Sequence, residues 1–402
     1  MTPDTKGNGR EPAPASSDLP HGVHWVDTPE TLAALVERVE VVRRTQGERF
    51  RSCLDTEADS LHHYQEKLCL IQLAFGDDFA LIDPLAVPDV RPLLEVLNEG
   101  EVWFHGADYD LTLLRRTYGW TPRILRDTQI AARLTGSRQF GLAALIEKHF
   151  NKQVSKASQK ADWSRRPLSP TMLSYAVDDV RYLLAIADSY LEQLKAKGRM
   201  PWFVQSCDDL RDGVAMRSTA PKEDPWRLQG SGKLHPKGLA LLRELWLWRE
   251  GIAEERDVPC FRIISNRQII EAATQFEHDQ IPNPPAGWRP KWKRDFADAI
   301  ARVLEGNEET WPQRLKFSGS RLSDAAREQL DRLCQHREEL AKSLDIEPSL
   351  LGARASLELV VGRPEGIDEL LPWQSEVLGQ SLIIARRVLG FDGTGDEAGK
   401  RE

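Results

Sequence analysis

A chain of 402 residues, 41% hydrophobic and 29% charged, can bury sizeable cores and should divide into two or three domains. The formal charge of −8 disfavours nucleic-acid binding over the whole surface but leaves room for local basic grooves, and five scattered cysteines without a C-x-x-C pair argue against a disulfide framework or a zinc site. No run approaches 18 uncharged apolar residues and the opening stretch is polar, which argues against a membrane span and against export, and a reducing cytoplasm fits.

In chain order, residues 1–20 read as a disordered lead-in. Val23 to Val26 reads as a strand, and Thr28 as the cap of an amphipathic helix that opens at Pro29 and runs to about Glu40. The apolar run through Cys53 and Leu54 reads as a strand ending in Asp55-Thr56-Glu57. Side chains alternate along a strand, so Asp55 and Glu57 point the same way, roughly 6–7 Å apart, and two acids on one face invite a cation. Standing alone, such a pair more often marks a solvated strand end. A loop through His62, His63 and Tyr64 follows, then strands Leu68 to Phe75 and Phe79 to Ile82, joined as a hairpin through Gly76-Asp77-Asp78. Helical periodicity from Val90 to Leu97, a strand from Val102 to Gly106 and a helix from Asp108 to Tyr118 continue the alternation, which predicts an α/β domain. Short helices Asp127 to Leu134 and Leu142 to Phe150, a charged loop, and one long helix from about Ser169 to Lys197 complete it.

Two further acids stand where this domain could use them. Asp110 lies in the first turns of a helix that follows a strand, the junction where ligands gather in open α/β sheets, with Asp108 as a competing candidate. In Tyr175-Ala176-Val177-Asp178-Asp179, positions four apart share a helical face, so the Tyr175 hydroxyl and the Asp179 carboxylate can reach one locus while Asp178 points elsewhere. A core tyrosine beside two solvated acids would satisfy the same spacing.

Taken in order, these segments resemble the DEDD-type 3′–5′ exonucleases, and within them the ribonuclease D family, over roughly residues 23–194. Asp55-Thr56-Glu57 is similar to the family's first motif. His105-Gly106-Ala107-Asp108-Tyr109-Asp110-Leu111 is similar to the second, with the histidine five residues before the aspartate, which selects Asp110. Tyr175-x-x-x-Asp179 is similar to the third, in the tyrosine subclass. Leu70-Ile71-Gln72-Leu73, Ile82-Asp83-Pro84-Leu85, Asp127-Thr128-Gln129, Ala161-Asp162-Trp163 and Arg166-Pro167-Leu168 carry the resemblance between the motifs. It implies a ribonuclease H-like α/β exonuclease domain with a mixed central sheet, with Asp55, Glu57, Asp110, Tyr175 and Asp179 as its catalytic set.

Phosphodiester cleavage requires an activated water and stabilised attacking and leaving oxygens, which two divalent ions about 3.5–4 Å apart supply. Four carboxylates offer the oxygen ligands that Mg2+ or Mn2+ prefers. The resemblance implies Asp55 between both ions, Glu57 and Asp179 completing one and Asp110 helping to hold the other. Tyr175, with an ordinary pKa near 10, is a poor base at neutral pH and is expected to orient the water, a task Glu57 could share. His105 and Tyr64 are candidate substrate contacts, as are Lys160 and Arg165 in the basic loop Lys152, Lys156, Lys160, Arg165 and Arg166, where cations could meet a phosphate backbone. Phe140 could stack on a base, and Asp127 reads as a helix cap.

Beyond this domain, residues 201–232 read as a linker with one short helix near Cys207 to Asp212. Residues 233–306 have helical periodicity, and Leu239 to Leu242, Trp248-Arg249 and Ala253 to Asp257 resemble the domain shared by the C-termini of RecQ-type helicases and ribonuclease D, the HRDC domain. Residues 315–390 repeat the pattern as a degenerate second copy, before a polar tail over 391–402. Lys291, Trp292, Lys293, Arg294, Arg262 and Arg267 are candidate RNA-docking residues, unless the bundles only pack against the first domain. The expected activity is a 3′–5′ exoribonuclease acting on RNA 3′ ends such as those of transfer RNA precursors, with no membrane and no obligate protein partner. A DNA-directed exonuclease of the same chemistry and a non-catalytic RNA-binding scaffold are the alternatives.

Overall fold

The computed structural model describes residues 19–155, 157–218, 220, 222–315 and 321–391, so the lead-in over 1–18, Lys156 and the tail over 392–402 lie outside the described residues. Strand β1 (Val23–Val26) leads into helix α1 (Pro29–Gln46). Thr28 caps that helix, accepting from the Thr31 N–H at 3.1 Å while Thr31 Oγ1 accepts from the Thr28 N–H at 3.0 Å. Strands β2 (Arg51–Ala58), β3 (Leu68–Phe75) and β4 (Asp78–Ile82) follow, then α2 (Arg91–Leu97), β5 (Glu101–Phe104), α3 (Asp108–Tyr118), β6 (Ile124–Asp127), α4 (Thr128–Leu134) and α5 (Leu142–Phe150). The six strands form one sheet in the order β1-β4-β3-β2-β5-β6. It is mixed: β3 and β4 are the expected antiparallel hairpin, whereas β4 pairs β1, and β5 pairs both β2 and β6, in parallel. Every residue of the central strand β3 is buried, as a strand covered on both faces requires.

The parallel pairing of β2 with β5 decides which segments the first two acids stand beside. Cys53 pairs with Trp103, so the C-terminal end of β2, with Asp55 and Glu57, lies beside the segment that leaves β5 toward α3.

The long helix expected from Ser169 to Lys197 is two, α6 (Pro170–Arg181) and α7 (Leu183–Ala196), which part at Tyr182. The short helix expected near Cys207 to Asp212, within a linker over 201–232, is the longer helix α8 (Met200–Met216). Pro201 falls in its first turn, where a missing N–H breaks no intrahelical bond, and Phe203, Cys207 and Val214 are buried.

The described residues divide into two compact units, one drawn from within residues 19–57, 68–217 and 321–391 and the other from within residues 58–67 and 218–315. The second unit is built on α9 (Pro236–Glu255), α10 (Asn266–Glu277) and α11 (Pro290–Glu305), packed through Leu241, Leu245, Ile269, Phe276, Phe296 and Ile300. The first unit combines the sheet domain with α12 (Asp324–Leu344), α13 (Arg354–Gly362) and α14 (Pro372–Val388). This last bundle shares a core with the α/β domain: Ala341, Ile346, Leu351 and Trp373 are buried together with Leu134, Tyr190, Phe203 and Cys207. Trp202 stacks on Trp373 at 4.8 Å, and the buried Arg199 guanidinium donates at 2.7 Å to the carbonyls of both Leu134 and Leu344, the last residues of α4 and α12. Gly136 is required here, since a Cβ at this residue would meet the Asp345 carbonyl oxygen at 2.4 Å. Among the described residues no helix is long and apolar enough to cross a membrane, and all five cysteines are free thiols.

Candidate active site

Strand alternation places Asp55 and Glu57 on one face of β2, and α6 brings the third acid. Leu173, Ala176, Val177 and Val180 form the buried stripe of α6, with Leu173, Ala176 and Val177 in one core cluster with Cys69 and Leu70 of β3. Tyr175 and Asp179, one turn apart on the neighbouring face, are thereby brought to the acids of the interior strand β2. Ligand oxygens of Asp55, Glu57 and Asp179 lie within 4.8 Å of one another. Asp110 stands outside this triplet yet close enough to raise the pKa of its members. Its Oδ1 accepts from the Thr56 hydroxyl at 2.5 Å.

Packing acids this tightly is electrostatically costly. Burial first, and then the charges of Asp110, Asp179 and Glu57, hold the Asp55 carboxyl well above the usual carboxylate range. Burial and the charges of Asp179 and Asp110 push Glu57 up to about 9. Burial raises Asp110 to about 7 against the bond from Thr56, and Asp179 to about 7 against a hydrogen bond from Tyr175. Burial and the same carboxylates drive the Tyr175 phenol far upward, so it stays protonated and donates to Asp179. An all-oxygen cluster whose members resist ionisation side by side suits hard divalent cations, which would neutralise it.

The neighbouring acids have other partners. Asp108 is exposed and paired with Arg217. Asp178 accepts from Lys152 Nζ at 3.0 Å, and the same ammonium donates to the Tyr182 hydroxyl at 2.8 Å. Asp127 caps α4, accepting from the Gln129 N–H at 2.7 Å, and also accepts from the N–H groups of Gly106 and Ala107 at 3.0 and 2.8 Å. One carboxylate therefore ties the start of α4 to the segment that presents Asp110. His105 sits at the end of β5 with Nδ1 on Thr128 Oγ1 at 2.8 Å, and burial lowers its pKa, so the ring is neutral.

The remaining sequence candidates are scattered. Tyr64 belongs to the second compact unit, where its hydroxyl donates to Glu250 at 3.1 Å. Phe140 packs against the core with the Arg133 guanidinium 5.1 Å from its ring centroid. Lys160 is exposed, and Arg165 pairs with Asp162 at 3.0 Å. Arg166 is not a groove cation: it is buried, bidentate on Asp83 at 2.6 and 2.7 Å, and donates at 2.8 Å to the Cys69 carbonyl. Sequence reasoning missed Thr56 and the second role of Asp127. The alternation that paired Asp55 with Glu57 marks Thr56 as different from both, but nothing local names its partner.

The 3′–5′ exonuclease family model matches residues 23–195, and the HRDC domain model matches residues 238–280. The ribonuclease D of Gluconacetobacter diazotrophicus is 30% identical over 384 residues, covering 92% of this chain and 95% of the relative. That of Xanthomonas oryzae pv. oryzae is 30% identical over 380 residues, covering 90% and 97%. The crystal structure of Escherichia coli RNase D superposes with a TM-score of 0.65 at 24% identity, over 91% of this chain and 98% of that one, which establishes the shared fold. Identity of this extent across nearly the whole length shows that the chain belongs to the ribonuclease D family, the 3′–5′ exoribonucleases.

Proposed function

We propose that this exoribonuclease works through two divalent cations, Mg2+ or Mn2+, and that its substrates are structured RNAs with single-stranded 3′ ends, such as transfer RNA precursors in the cytoplasm. The observation that carries the reading is the triplet Asp55, Glu57 and Asp179, with ligand oxygens within 4.8 Å of one another. Asp55, Glu57 and Asp179 would hold one ion, and Asp55 with Asp110 the other. When bound, the ions supply activation of the water and stabilisation of the attacking and leaving oxygens. Tyr175 keeps its proton, fixes Asp179 through a hydrogen bond and orients the incoming water. Thr56 and Asp127 hold Asp110 and the segment before it in place. The water oxygen forms the new bond to phosphorus, the bond from phosphorus to the 3′ oxygen of the penultimate nucleotide breaks, and that oxygen takes up a proton. The product is a nucleoside 5′-monophosphate. The bundles that follow the α/β domain in the chain support an RNA with structure upstream of its free end, docked through groups such as Lys291, Lys293 and Arg294.

The test offers 3′-extended transfer RNA, single-stranded RNA and single-stranded DNA of equal length, with Mg2+, Mn2+ or chelator, to wild type and Asp55→Ala. Stepwise shortening of the RNAs is expected only from wild type with metal. Preferential shortening of DNA would overturn the substrate assignment, and cleavage in chelator would overturn the metal assignment.

A further inference from the structure

A cavity of about 630 Å3 opens inside the second compact unit, where the segment of residues 58–67 meets the first bundle. Its volume is of the size that takes a nucleotide. Ser60, His63, Tyr64, Phe261, Asn266 and Arg267 line it.

The framework around the cavity is fixed by bonds. The Arg249 guanidinium, 4% exposed, donates to Asn266 Oδ1 at 2.6 Å and to Glu250 Oε1 at 3.0 Å. Glu250 also accepts from the Tyr64 hydroxyl at 3.1 Å and the Cys260 thiol at 3.2 Å. The segment itself is tied down at three residues: Asp257 accepts from the Tyr64 N–H at 3.1 Å and pairs with His63 Nδ1 at 2.7 Å, and Arg262 donates to the Leu61 carbonyl at 2.9 Å. A cavity framed this way is preformed and costs a ligand little ordering.

The lining has the chemistry of a nucleotide site. Phe261 is 55% exposed, and a phenyl face turned to water has nothing to gain until a flat ring covers it. The Arg267 side chain is 87% exposed, held by Glu271 at 2.7 Å in a surface pair of small net value that a phosphate can displace. Ser60 and Asn266 add polar groups for a ribose or a base edge. We infer that the cavity holds one unpaired nucleotide of the RNA substrate upstream of the cleaved end, its base stacked on Phe261 and its phosphate on Arg267. The inference rests on the exoribonuclease reading, and it gives that reading a second recognition site. The wall formed by Ser60, His63 and Tyr64 belongs to the segment that leaves β2 after Ala58, one residue past Glu57, so the same stretch of chain carries catalytic acids and then nucleotide contacts.

The experiment measures fluorescence anisotropy of a 5′-labelled oligouridylate on the full chain in chelator, so that binding is read without hydrolysis. Phe261→Ala and Arg267→Ala, both at exposed positions, are each expected to weaken binding by about fivefold or more, the lower end of what losing a stacked base costs. The Arg267 variant is also expected to flatten the salt dependence by about one phosphate contact. As a second readout, 5-iodouridine in the oligonucleotide is expected to crosslink to the peptide containing Phe261. Equal affinity of wild type and both variants, or crosslinks confined to the first compact unit, would overturn the site. Neither readout depends on turnover, so a wild type that binds RNA in this way but fails to shorten it would sink the catalytic reading alone.

Discussion

The Thr56 hydroxyl governs how Asp110 is presented. It donates to Asp110 Oδ1 at 2.5 Å, and backbone N–H groups of Thr56 and Asp110 bond the same carboxylate, so its orientation is fixed from several sides. A bond of this kind orients a ligand without touching the metal, and its loss ordinarily costs 10–100-fold in affinity. Thr56→Val, which keeps the shape and removes the donor, is therefore expected to weaken Mn2+ binding by about that factor, and Thr56→Ser to restore most of it. Calorimetric titration of the protein without RNA checks this, and equal affinity in all three proteins would refute it. Periods of two and four put Asp55 with Glu57 and Tyr175 with Asp179 on shared faces, but only the resemblance of the ordered motifs singled them out as a catalytic set. Thr56 was not legible, since its partner lies 54 residues away and only the parallel register of β2 with β5 brings the two segments together.

Helix α6 must hold Tyr175 and Asp179 still, and its approach to the sheet is fixed by the segment before it. Arg166 and Asp83, with side chains 4% and 5% exposed, form a bidentate pair that ties this segment to the end of β4. Desolvation makes such a pair a poor source of net stability, but removing one partner strands the other charge and costs roughly 3–5 kcal/mol. Asp83→Ala is expected to destabilise the first unit by that amount in urea unfolding, whereas the double change Asp83→Leu with Arg166→Met should cost far less. Similar losses in both would mean that the bond network carries the segment and charge burial is secondary. Element boundaries were less legible than element types. The break between α6 and α7 falls at Tyr182, which carries no glycine or proline signal, and α8 was read too short because Pro201 reads as a breaker anywhere except in a first turn. The family of the site was readable only as a resemblance carried by three ordered motifs and the segments between them, while the docking of α12 and α14 rests on contacts such as Trp202 with Trp373 that no local pattern announces.

At the scale of the whole molecule, the acid cluster makes stability depend on pH and metal together. Glu57 titrates near about 9 and Asp110 and Asp179 near about 7 in the folded protein, and Asp55 is raised as well. In the unfolded chain such groups titrate near about 4. Between these values the folded state binds more protons, so its stability relative to the unfolded state falls as pH rises. The contribution is fully present below about pH 4 and is lost through the interval up to about pH 9. Divalent cations act oppositely, because they bind the ionised carboxylates of the folded state and bind better as the protons leave. Scanning calorimetry is thus expected to show the metal-free first unit melting at progressively lower temperature from about pH 6 to pH 9, and saturating Mg2+ should flatten or reverse that slope. Asp179→Asn, which removes one raised carboxylate, should make the metal-free slope shallower and reduce the Mg2+ effect. A metal-free protein that instead gains stability across this interval would show that the four acids do not share one electrostatic site.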